Sequence, residues 1–127
     1  MQKLTSVLIA AALTLAAGAT RAQDPVKVDP KHYKVEFEND QVRVLRIHYE
    51  PGEKSVMHEH PNAVAVFLTD DHVKFNLPDG KSEEATNKAG ETLWTAGGQH
   101  LPENLGDKPM ELILVELKTK AMPPAKK

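Results

Sequence analysis

The chain has 127 residues, enough for one domain and not two. It contains no cysteine, which excludes disulfides and thiolate metal sites and leaves His, carboxylates, amides and water as metal ligands. Acids and bases are interspersed with a formal charge of −2 and no basic patch, so nucleic acid is not an expected partner.

Met1-Gln2-Lys3 carries one positive charge. Leu4 to Thr20 then runs uncharged and rich in Ala and Leu, and small residues at Thr20 and Ala22 follow. This is the pattern of a cleavable signal peptide over residues 1–22, with the cut expected after Ala22. The competing reading is a membrane anchor, but a spanning helix needs ~20 apolar residues. This run is shorter and interrupted by Thr5, Ser6, Thr14 and Gly18. Cleavage would leave 14 bases against 18 acids, a formal charge of −4. The mature protein is expected to be periplasmic or secreted, with no stable membrane anchor.

Residues 23–33, "QDPVKVDPKHY", hold Pro25 and Pro30 with little periodicity and read as an extended lead-in. A β domain is expected over residues 34–119. Val42 to Tyr49 is rich in β-branched and aliphatic residues. Ala63 to Leu68 is apolar on both faces, as in a central strand covered on both sides. Val73 to Leu77 alternates at period two, and "LPDGK" after it is a hairpin turn. Met110 to Lys118 carries Leu112, Ile113, Leu114, Val115 and Leu117. No segment sustains a helical period with caps, and short strands between frequent turns predict an all-β sandwich or barrel. The expected core comprises Leu45, Ile47, Val56, Val66, Phe67, Leu68, Phe75, Leu93, Ile113 and Val115. Residues 120–127, "KAMPPAKK", are expected to form a disordered tail.

Six histidines are present: His32, His48, His58, His60, His72 and His100. His58 and His60 stand at i and i+2, which on a strand aims both rings to one face. Gly52 precedes them in the spacing G-x5-H-x-H, and about forty residues later Gly97-x2-His100-x3-Asn104 follows a run of strand character.

These two motifs resemble those of the cupin superfamily, and the resemblance covers Val42 to Lys118. It implies a small single-domain antiparallel jelly-roll barrel in which His58, His60 and His100 face the interior. The sequence departs from the family pattern at two places. Val64 and Ala65 stand where the family keeps a glutamate ligand. Thr95 replaces the second motif's proline, and Gly90 lies one position from its first glycine. The resemblance thus implies three histidines holding a divalent transition metal (Fe, Zn, Ni, Cu, Co or Mn) with open positions for a small molecule. Three neutral imidazoles suit borderline ions rather than Mg or Ca. Within the family, three-histidine sites without the glutamate resemble those of thiol dioxygenases. A homodimer is also plausible by this resemblance.

Glu103, three residues after His100, is the candidate catalytic acid or base, or a fourth ligand; a solvated loop acid is the plain alternative. Asn104 reads as a turn-former and Gln99 as a loop polar group. Glu59 alternates away from its neighbours. Trp94 reads as a core residue before the cavity mouth. His48 reads as solvent-facing, and His32 and His72 have no assigned role. The function expected is metal and small-molecule binding, with a dioxygenase-like or isomerase/lyase enzyme as the alternative.

Overall fold

The computed structural model describes residues 23–118. The expected signal peptide and tail therefore lie outside the described residues. One short helix, α1 (Pro25–Val28), precedes nine strands: β1 (Tyr33–Glu38), β2 (Val42–Tyr49), β3 (His58–His60), β4 (Ala63–Phe67), β5 (Asp71–Asn76), β6 (Ser82–Asn87), β7 (Thr92–Thr95), β8 (Gly98–Asn104) and β9 (Met110–Leu117). They form a five-stranded sheet ordered β1-β2-β9-β4-β7 and a four-stranded sheet ordered β3-β8-β5-β6. All pairings are antiparallel, as the alternating sequence demands.

Local chemistry sets the element ends. The stretch read as an extended lead-in contains α1, because Pro25 sits at its first turn and the Asp24 carboxylate accepts from Val26 N at 3.0 Å. The β5–β6 hairpin turns through "LPDGK", where Gly80 takes φ +83° and Leu77 N donates to Lys81 O at 2.9 Å. Gly97 is needed for a different reason. A Cβ there would stand 3.0 Å from His60 O and 3.1 Å from Asn62 N, so only glycine lets β8 start so close to the β3–β4 turn. Asn104 does form a turn: its carboxamide accepts from Gly106 N at 2.9 Å and donates to Lys108 O at 2.9 Å.

Between the sheets lies the core: Tyr33, Leu45, Ile47, Tyr49, Ala63, Ala65, Phe67, Val73, Met110, Leu112 and Leu114. Leu45, Ile47 and Phe67 are buried as expected, and Phe75 packs against this group. Val56, Leu68 and Leu93 are instead exposed, and Val66, Ile113 and Val115 lie half-buried on the other face of their strands. In β9 the even-numbered residues point inward, and in β4 the odd-numbered ones do. Both strands are apolar on both faces, so alternation alone could not choose the inner one. β4 is central in its sheet, but its outer residues are only half-buried rather than covered.

The outer apolar residues fall into register. Phe37 pairs with Val44, Val44 with Val115, Val115 with Val64, and Val64 with Trp94. One apolar row thus crosses all five strands on the sheet's outer face. Trp94 belongs to this row and is 56 % exposed, not packed in the core. Its pairing with Val64 points it outward, while its neighbours Leu93 and Thr95 line the interior cavity.

Candidate metal centre

β3 is only three residues long, His58-Glu59-His60, with a buried–half-buried–buried pattern. Its alternation turns both imidazoles inward and Glu59 away. β8 pairs beside it so that His58 lies opposite His100. The three ring centroids stand 4.8 to 5.1 Å apart, and one ring nitrogen from each histidine lies within 4.8 Å of the other two. The sequence-predicted triad is therefore one cluster that could hold a metal ion.

Hydrogen bonds fix the tautomers of two rings. His58 Nδ1 lies 2.8 Å from the carbonyl of Val56, which can only accept, so Nδ1 carries the proton. His60 Nδ1 lies 2.6 Å from a carboxylate oxygen of Glu116 and donates to it. In the neutral rings both Nε2 atoms are lone-pair donors, and they face each other at 3.0 Å. Two such lone pairs aimed at each other can share a cation. Two nitrogens bound to one ion at ~2.1 Å lie about 3.0–3.4 Å apart in neighbouring positions, so the spacing fits. Nε2 of His100 is buried with no hydrogen-bond partner among the described residues. Phe75 stacks on the His100 ring at 5.0 Å and holds its plane. Burial, followed by the neighbouring His60, pushes His58 down to about 4; burial, His60 and His58 push His100 down to about 3. Both rings are thus neutral near pH 7, as metal ligation requires.

Sequence reasoning missed the groups behind the triad. Glu116 is 2 % exposed on the inner face of β9, opposite Arg43 of β2. Arg43 Nε donates to Glu116 at 2.7 Å, and its two terminal nitrogens donate to Asp24 at 2.8 and 3.0 Å. Burial alone would raise the Glu116 pKa, but hydrogen bonds from His60 and Arg43 outweigh it and hold the carboxyl below its ordinary value. A signal was present: Glu116 shares the phase of Leu112 and Leu114. Behind His58, Ser55 donates to Asp29, whose carboxylate also takes the His32 Nδ1 proton at 2.7 Å. His32 is buried and stacked on Tyr49 at 4.2 Å.

The remaining candidates fall elsewhere. Glu103 stands one residue out of phase with His100 and Pro102, its backbone in register with Lys74 and in a β-bridge with Lys54. The structure does not bring it to the triad. Gln99 belongs to β8 rather than a loop and borders the cavity. His48 and His72 are partly exposed, each beside a glutamate, Glu50 and Glu84.

A cavity of about 330 Å³ opens beside the triad, with His60 and His100 in its wall. Tyr33, Tyr49, Phe67, Val73 and Phe75 line it, as does Ala65, one of the two positions where the resemblance would want a glutamate. The Tyr33 and Tyr49 hydroxyls bond each other at 2.6 Å.

No protein-family model matches the chain, and no curated protein matches it in sequence. Solved structures do match. A cupin domain from Bordetella pertussis superposes with a TM-score of 0.64 and 24% identity over 68% of this chain and 92% of that one. An uncharacterized protein with a double-stranded beta-helix domain from Klebsiella pneumoniae gives 0.53 and 22%, over 69% and 84%. An RmlC-like cupin family protein from Methanocaldococcus jannaschii gives 0.52 and 17%, over 70% and 83%. At these identities the likeness shows the fold, and the fold is that of the cupins.

Replacing Glu116 with Gln keeps its size but removes the charge that orients His60 and pairs with Arg43. Metal affinity is expected to fall about 10- to 100-fold, the usual cost of losing such a partner. Competitive titration of zinc against a chromophoric chelator measures it; unchanged affinity would remove Glu116 from the site.

Proposed function

We propose that this cupin-fold chain binds a divalent transition metal through His58, His60 and His100 and takes a small molecule into the cavity beside it. The observation that carries the reading is the convergence of ring nitrogens from His58, His60 and His100, with the His58 and His60 Nε2 atoms 3.0 Å apart and their Nδ1 atoms turned outward to acceptors. A bound ion would supply Lewis acidity toward a donor atom of the ligand. The protein supplies the rest. Glu116 and the Val56 carbonyl hold the ring protons on Nδ1, and Phe75 and the apolar walls keep water from the ligand's body. Elemental analysis of purified protein is expected to give about one transition-metal ion per chain in the parent and none in the double variant His58→Ala/His60→Ala. Absence of metal from the parent after incubation with Fe, Zn, Ni, Cu, Co and Mn would overturn the reading.

Turnover is the second reading, favoured by an apolar cavity that meets the triad directly. Glu103 is not placed to serve it. Oxygen uptake by the iron-loaded protein with a panel of thiols and catechols, lost in His100→Ala, is the expected sign of a dioxygenase-like enzyme. A metal-loaded protein inert to every substrate favours binding alone.

Export completes the proposal. It is supported by the charge at Lys3, the uncharged run Leu4 to Thr20 and the small residues before the expected cut. Expression in a Gram-negative host should yield periplasmic protein beginning at Gln23. Full-length protein retained in the cytoplasm or membrane would contradict it.

The outer row Phe37–Val44–Val115–Val64–Trp94 supports a homodimer. Its central residue is Val115, so a two-fold axis lying over β9 would set Phe37 of one copy over Trp94 of the other. Light scattering is expected to show twice the monomer mass for the parent and the monomer mass for Val115→Lys. A monomeric parent at about 100 μM would exclude this dimer.

A further inference from the structure

The cavity has two chemically different ends. One end carries His60 and His100. At the other, the charged group in the wall is the carboxylate of Asp71 at the start of β5; the second acid of the wall, Glu83 of β6, pairs with Phe75 nearer the histidines. Asp71 is 8 % exposed and accepts from Asn87 Nδ2 at 2.8 Å, opposite which it pairs in the hairpin. The register separates the two ends. Asn76 pairs with Leu101, next to His100, whereas Asp71 begins β5 five residues earlier. At a strand rise of ~3.3 Å per residue that is roughly 16 Å. Between the ends the wall is apolar, formed by Phe67, Val73, Phe75, Leu112 and Leu114 among others.

A ligand that fills this space puts a single donor atom at the triad and lays its body along apolar walls. Its far end meets the buried carboxylate of Asp71. An anionic far end would lose its water to apolar surface and face like charge, both unfavourable. A neutral end loses little, and an ammonium end gains a partner.

We propose that the site selects molecules with one metal-binding head, an apolar body and a far end that is uncharged or cationic, and that Asp71 is the residue that discriminates against a second anionic group. The head rests on the metal reading above; the far-end preference rests on Asp71 and the wall. Three probes of one length isolate it: 8-mercaptooctan-1-ol, 8-mercaptooctylamine and 8-mercaptooctanoate. Each is titrated into the cobalt(II)-loaded protein and read by the thiolate-to-cobalt charge-transfer band. The alcohol and amine are expected to bind on the order of tenfold or more tighter than the carboxylate. In Asp71→Asn the amine loses its advantage over the alcohol and the carboxylate gains. If Asp71→Asn does not fold, the ranking of the three probes on the parent protein still decides. A carboxylate that binds as tightly as the other two overturns the proposal. Failure to take up cobalt sinks the metal reading instead. The same probes, compared by ligand-observed NMR on metal-free protein, then decide the far-end preference by the same ranking.

Discussion

The buried carboxylate of Glu116 is the constraint on which the site depends. A charge 2 % exposed between two sheets is costly unless it is fully engaged. Here one oxygen takes the proton of His60 and the other takes that of Arg43 Nε. Arg43 passes the demand on to Asp24, which both pairs with it and caps the short helix α1. The orientation of one imidazole is thus tied to the first described turn of the chain. Removing Arg43 would leave the carboxylate buried with one partner, and removing Glu116 would leave the ring free to change tautomer.

Much of this was legible in the sequence, for reasons that can be named. β2 spans Val42–Tyr49 as expected because its β-branched run ends at the Pro51-Gly52 turn. The triad was legible because an H-x-H pair on a strand has only one way to face, and the second motif sits at a spacing that places β8 beside β3. What was not legible depended on partners far away in the chain. Ile113 and Val115 are as apolar as Leu112 and Leu114, and only the packing of the second sheet selects the even face. Trp94 joins an outer row whose other members come from four separate strands. Glu103 sat near His100 in sequence, yet strand alternation turns it to the opposite face.

The substitution of the family's glutamate takes on a definite shape. Ala65 faces the cavity while Val64 faces out, so the inner of the two positions carries a methyl group and leaves space where the resemblance would want a carboxylate. The carboxylate that does reach the triad, Glu116, does so from behind, against Nδ1 rather than at the open side. Negative charge near the histidines is thereby moved out of coordination and into support. Neutral ligands alone would leave a bound dication uncompensated on the cavity side, which suits a ligand that brings its own negative donor atom.

His60 belongs to β3 of the four-stranded sheet, whereas Glu116 belongs to β9 of the five-stranded one. The bond between them is a rivet through the two layers, and the triad sits at its head. An ion gripped by the triad would bind the assembled sandwich and not the separated strands. Occupancy would then be felt as resistance of the two layers to parting, growing with the logarithm of the free-ion concentration. The fold holds the site in shape, and through that rivet a filled site would help hold the fold closed.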